Sequence, residues 1–293
     1  MKELNSKYNF LGLQKEFSGY EKSEIVILSF PFYKSSKGIK NVPGEILKAS
    51  SGIIPYDEEQ KRELCFEKGI CSLAPINFEK SSSGKSLLSI SKEIYTHISN
   101  GKFVVSVGGE QTITAAILNS YKNKFENFSL LHLSAHSYLD EMIIGKKKIR
   151  ENTIARIANL GIDVIQVGIR SQSKNENEFR RSNSIKTFYA REIKMGLYGK
   201  NWQELVSKNL KENVYISFDL HAFDPSLMPS VANPEPGGLF WDETMNLLKI
   251  IGMDKNIIGF DIVEFSPPKN FVPSNYYAAK LVYKILNYAF IKR

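Results

Sequence analysis

Leu130-Leu131-His132-Leu133-Ser134-Ala135-His136-Ser137-Tyr138 opens as an apolar run and closes on a polar cluster. The run reads as a buried strand, and the polar residues at its end decide which fold that strand belongs to. Ser134, His136 and Tyr138 share parity, so in an extended chain they point to one face. By itself His136 reads equally well as a hydrogen-bonded core histidine. Its meaning depends on what the other strand ends carry.

Similar apolar, β-branched runs recur along the chain. They lie at Glu24 to Ser29, Phe103 to Val107, Phe128 to Leu133, Asp163 to Val167, Val214 to Phe218 and Asn256 to Ile262. Near-continuous hydrophobicity in short runs marks strands covered on both faces. Between them, Gly84 to Ser99, Thr112 to Tyr121, Trp202 to Leu210, Asp242 to Ile251 and Asn275 to Ala289 repeat apolar residues at three and four spacing, the period of an amphipathic helix. Alternating strands and helices predict an α/β fold, a three-layer α/β/α sandwich around a central, mainly parallel sheet. With 293 residues and no linker-like stretch, one domain over 1–293 is expected.

Composition narrows the partners. The formal charge of +8 is spread along the chain, and the only compact basic run, Gly145 to Arg150, reads as a solvated loop; nucleic acid is not an expected partner. The first residues lack an apolar core of signal-peptide length, and no later run approaches the ~20 residues of a membrane span. A cytoplasmic protein without membrane contact is the expectation. Cys65 and Cys71 cannot build a disulfide framework or a zinc knuckle and read as structural thiols.

In a parallel sheet of this kind, ligands bind beyond the carboxyl ends of the strands. Four strand ends carry unusual polar groups. Val107-Gly108-Gly109-Glu110-Gln111 has two glycines that free the backbone for a tight turn. The second is the Ser134-Ala135-His136-Ser137-Tyr138 cluster. In Ser217-Phe218-Asp219-Leu220-His221, a carboxylate and an imidazole stand two apart, a plausible metal half-site. In Asp261-Ile262-Val263-Glu264, Glu264 ends an apolar strand, where it suits a cationic ligand or caps a helix. Asp224, before Pro225, reads as a turn former.

Taken together, in this order and spacing, the four segments resemble the ureohydrolase family of arginases, agmatinases and formiminoglutamases, agmatinases above all. Val42-Pro43-Gly44-Glu45-Ile46-Leu47-Lys48-Ala49-Ser50 is similar to the family's early G-P-x-A-I-R-x-A-S segment, and Gln166-Val167-Gly168-Ile169-Arg170-Ser171 to its Q-V-G-I-R-S. Pro234-Glu235-Pro236-Gly237-Gly238 and Asp261 to Glu264 continue the likeness over nearly the whole chain. The resemblance implies an arginase-like fold, a homo-oligomer, and hydrolysis of a guanidinium group to urea and an amine by a hydroxide held between two manganese ions. It places the ligand positions, from G-G-D-H, D-A-H-x-D and S-x-D-x-D, at Gln111, Ser134, His136, Tyr138, Asp219 and His221. It places the family's proton-shuttling histidine at Asn152, within Arg150-Glu151-Asn152, and the carboxylate facing the substrate guanidinium at Glu264.

Only His136 and Asp219 keep the family's residue type at those ligand positions. Two divalent ions ~3.5 Å apart repel by roughly 19 kcal/mol even at an effective dielectric of 20, and bridging carboxylates must offset most of that. Gln111, Ser134 and Tyr138 are neutral near pH 7, and Asn152 is not an acid there. A dimanganese centre is therefore not expected. The primary reading is a pseudoenzyme, a ligand-binding or regulatory homologue that keeps a site for a small guanidino or amine cation at Glu264. The alternative is an active C–N hydrolase with one zinc, iron or manganese ion on His136, Asp219 and His221, with Asp140 or Glu141 as base.

Overall fold

The computed structural model describes residues 2–33, 42–76, 83–140, 142–144, 147–150, 152–267 and 272–292. Glu141, Gly145, Lys146 and Glu151 lie outside the described residues. Eight strands form one sheet: β1 (Ile25–Phe30), β2 (Ile70–Ser72), β3 (Phe103–Gly108), β4 (Phe128–Leu133), β7 (Asp163–Ile169), β8 (Lys186–Tyr189), β9 (Asn213–Asp219) and β10 (Asn256–Val263). A separate antiparallel hairpin pairs β5 (Met142–Ile144) with β6 (Lys147–Arg150). The sheet order is β2-β1-β3-β10-β9-β4-β7-β8, and every pairing is parallel.

The two-residue period of the strands separates two cores. Ile25, Ile27, Val105, Leu131 and Ile216 face one layer of helices, which includes Val42–Ser50, Trp241–Asp254 and Pro273–Ala289. Val26, Leu28, Val104, Leu130 and Tyr215 face the other, formed by Ser83–Ser99, Ile113–Lys122 and Thr153–Asn159. The three-layer sandwich expected from the alternating pattern is thus present. Because all strands run the same way, their carboxyl ends gather on one edge, and the four polar strand ends meet there.

Cys65 and Cys71 are buried, and burial pushes their thiols up to about 11 and about 12, so both stay protonated and inert near neutral pH. Among the described residues, no helix is long and apolar enough to cross a membrane.

The helix Lys174–Ser182 starts on a Ser173/Glu176 capping box and ends in a paired Schellman closure. There Ser184 N donates to Arg181 O at 3.2 Å and Ile185 N to Arg180 O at 3.0 Å, with Ser184 at φ 53°. A serine in the left-handed region costs about 1 kcal/mol that glycine does not. Ser184→Gly is therefore expected to raise stability by up to about 1 kcal/mol, read as a higher urea midpoint at unchanged slope. An unchanged or lower midpoint would show that the turn carries no strain.

Candidate functional site

β4 stops at Leu133, and Tyr138 has φ 50°, so the stretch from Ser134 to Tyr138 is not the extended continuation that its parity assumed. The groups converge nonetheless. Ser134 Oγ donates to Asp219 Oδ2 at 2.5 Å, and Tyr138 Oη donates to the same oxygen at 3.3 Å. His136 N donates to Ser134 Oγ at 2.9 Å, and the His136 ring lies 4.8 Å from that of His221.

β9 ends at Asp219, whose side chain caps the short turn Leu220–Ala222. Asp219 Oδ1 accepts from His221 N at 2.8 Å and lies 2.7 Å from His221 Nδ1. On the other side of the ring, Asn233 N donates to His221 Nε2 at 3.3 Å. Asp219 is fully buried. Burial by itself would raise its pKa, but the charge and hydrogen bond of His221, with His136 and Ser134 behind them, hold it well below the usual carboxylate range. His136, Asp219 and His221 therefore do come together, with Asp219 and His221 bonded to each other. Among the described residues, no group of three or more His, Cys, Asp or Glu is arranged to hold a metal ion.

Gln111 turns elsewhere. Its Nε2 donates to Thr114 Oγ1 at 2.9 Å and to Ser217 Oγ at 3.0 Å. Ser217 Oγ then donates to Asp261 Oδ1 at 2.7 Å, and Tyr215 Oη to Asp261 Oδ2 at 3.1 Å. The β9–β10 register sets Ser217 directly beside Asp261, so this network follows from strand pairing. Asp261 is completely buried, and burial pushes its carboxyl up to about 7 against the pull of these donors. In the sequence Asp261 stood only as part of a motif, with no role of its own. The available signal was a carboxylate inside an otherwise apolar strand.

Glu264 sits at φ 63° just past β10. Its Oε1 accepts from Gln111 N at 2.6 Å, before the helix Ile113–Lys122, and its own N donates to Gly109 O at 2.8 Å. The Gln111 amide precedes the N-cap Thr112, so Glu264 braces the turn into the helix rather than capping the helix itself. Enclosure, followed by the charge of Asp219, pushes its carboxyl up to about 7. Burial and then Glu264 and Glu110 likewise raise the phenol of neighbouring Tyr33. The carboxylates of Asp219 and Glu110 thus add negative charge around Glu264.

Gly108 and Gly109 form the tight strand-to-helix turn expected of them. A Cβ on Gly109 would lie 2.0 Å from Phe32 O and 2.7 Å from Phe32 C, so only glycine fits. Asp224 is the turn former expected of it, accepting from Ser226, Gly237 and Gly238 backbone N–H groups. Asn152 opens the helix Thr153–Asn159, whose first amides, on Ile154 and Ala155, bond Tyr138 O. Asp140 accepts from Asn175 at 3.2 Å.

Arg170 likewise entered the sequence reading only within a motif. Its guanidinium donates to six backbone carbonyls: Gly168, His221, Ala222, Phe223, Glu235 and Pro236. It ties the end of β7 to the turn carrying His221 and to the Pro234–Gly238 segment.

With this geometry in view, comparisons with known proteins place the chain. The arginase family model matches residues 23–287. The N(1)-aminopropylagmatine ureohydrolase of Synechocystis is 29% identical, over 97% of each chain. An enzyme of the same name from Thermus thermophilus is 32% identical over 90% of this chain and 89% of its own. The agmatine ureohydrolase structure of Thermoplasma volcanium superposes with a TM-score of 0.81 at 25% identity, covering 99% of this chain and 95% of that one. With its all-parallel eight-stranded sheet and its polar strand ends, the chain belongs to the arginase family of ureohydrolases.

Proposed function

We propose that this chain is an arginase-family protein without the family's dimanganese chemistry, which binds a small guanidino or amine cation at Glu264 without hydrolysing it. The observation that carries this is the state of Asp219. Of the six ligand positions it holds the only carboxylate, and both its oxygens accept protons from Ser134, Tyr138 and His221. Those hydrogens occupy the directions from which a cation would approach. Of the two remaining positions, Gln111 is bonded to Thr114 and Ser217, and the His136 ring lies 4.8 Å from that of His221. A pair of divalent ions needs several anionic bridges to offset its repulsion, and this set of residues does not fit one. The Asp219 carboxylate is satisfied by hydrogen bonds from within the protein instead.

The cation reading rests on Glu264, with Glu110 and Asp219 adding to the negative potential around it. The relatives in Synechocystis and Thermus thermophilus are named for aminopropylagmatine, a guanidine carrying amines, which makes such polycations the first ligands to try. Assembly as a homo-oligomer belongs to the same proposal.

Protein purified without chelator is expected to contain well under one equivalent of manganese, zinc or iron per chain. It is also expected to release no urea from agmatine, aminopropylagmatine or arginine with any of these ions added. Urea release would overturn the proposal. One ion per chain, lost in His221→Ala, would favour the single-ion hydrolase built on His136, Asp219 and His221. In calorimetry, agmatine affinity should rise between about pH 6 and about pH 8, as Glu264 loses its proton, and fall about tenfold or more in Glu264→Gln. Affinity independent of both would remove Glu264 from the site.

A further inference from the structure

The amino end of β8, at the opposite edge of the sheet from Glu264, carries a second feature. A cleft of about 530 Å3 opens there, within the size range of small-molecule sites. Its lining includes the apolar rings and side chain of Phe188, Tyr198 and Leu205 together with Arg180, Arg181 and Lys186. Among the described residues, no carboxylate lines it.

Two of those three cations are held by neutral amides. Elsewhere Arg62 pairs with Glu67, Lys68 with Glu24, Lys211 with Asp163, and Lys284 with Asp57 and Glu59. Around the cleft, the partners are neutral amides. Arg180 Nε and Nη2 each donate to Asn177 Oδ1 at 3.2 Å, and Lys186 Nζ is held by Asn209 Oδ1. Arg181 has no carboxylate partner among the described residues. Three positive charges thus converge on one cleft whose lining holds no anion, and the potential they create favours an anionic ligand.

The surroundings are also fixed in advance. The paired closure at Ser184 locks Arg180 and Arg181 against the start of β8. Tyr198 is immobilised because its hydroxyl accepts from Tyr189 N and bonds the Glu192 carboxylate, while its ring lies 5.0 Å from Phe188. Asn177 leaves Nη1 of Arg180 to a ligand. Arginine forks match phosphate oxygens in geometry as well as charge, and Tyr198 and Leu205 offer apolar surface to a flat ring.

We propose that this cleft binds an aromatic phosphate monoester of nucleoside-monophosphate type, its phosphate on Arg180, Arg181 and Lys186 and its ring against Tyr198 and Leu205. No chemistry occurs there, and the occupant requires neither a metal nor the pocket at Glu264.

Titration calorimetry on the full chain tests the assignment with adenosine monophosphate, inorganic phosphate and adenosine as separate probes. Adenosine monophosphate should bind once per chain, with phosphate and adenosine each about tenfold weaker or more, since each keeps half of the contacts. Arg181→Ala and Lys186→Gln change exposed side chains. Each should weaken the monophosphate about tenfold while leaving the melting temperature unchanged, and Leu205→Asn should weaken it without altering phosphate binding. No saturable binding at millimolar monophosphate would overturn the proposal. So would binding unaltered in both cation variants, or phosphate binding as tightly as the monophosphate.

Discussion

Gly109→Ala is expected to lose roughly 3 kcal/mol or more of stability, enough to unfold much of the protein near 37 °C. The added methyl would lie 2.0 Å from Phe32 O and 2.9 Å from Phe32 N, both backbone atoms that no rotamer can move aside. Relief by backbone movement is also blocked. Glu110 N donates to Phe32 O at 3.0 Å, and Glu264 N donates to Gly109 O at 2.8 Å, so separating the segments breaks a bond on one side or the other. Gly84→Ala is the matched control, since a Cβ there meets nothing within 4 Å. Urea denaturation followed by circular dichroism should show a large loss for Gly109→Ala and little change for Gly84→Ala. Equal midpoints for the two would mean that the Phe32–Gly109 approach is not held in solution.

The second large effect is a pH dependence centred on Asp261. Its carboxyl ionises near 3.8 in an unfolded chain and at about 7 in the fold. Between those values, the native protein keeps a proton that the unfolded chain has released. Its contribution to stability is therefore full below the lower value and fades as pH rises to the higher one. The difference corresponds to about 4 kcal/mol at most. Glu264 contributes with the same sign over a similar window, whereas the depressed Asp219 acts oppositely, its contribution being lost only in strong acid. Asp261→Asn removes the titration while preserving the shape of the side chain. Relative to the wild-type protein, it should be markedly more stable at about pH 8 than at about pH 5, by up to about 3 kcal/mol, since about pH 5 already lies above the unfolded value. A difference between the two proteins that does not vary with pH would show that Asp261 ionises freely inside the sheet.

The central strands were readable because burial on both faces leaves a continuous apolar signature. β3, β4, β7, β9 and β10 all fall within two residues of their expected bounds. The edges were not. β2 is three residues long, and β8 reads Lys186-Thr187-Phe188-Tyr189, with one fully buried side chain, so neither resembles a core strand. Tyr198 covers the outer backbone of β8 by bonding Tyr189 N and Thr187 O, a contact that no local pattern announces. In the site, the pairing of Asp219 with His221 could be read from their spacing. The direction of Gln111 could not, because it depends on Ser217 and Thr114, which reach it from another strand and from the following helix. Asp261 escaped for the same reason, since its partners come from β9.

The six carbonyls gathered by Arg170 have a consequence for how this protein could change over time. The turn bearing His221 and the Pro234–Gly238 segment are held by a side chain that belongs to neither, through their backbone carbonyls. The walls of the pocket are thus assembled by an internal cation that is always present. Because the grip is on backbone carbonyls, this tether does not depend on which side chain stands at position 221.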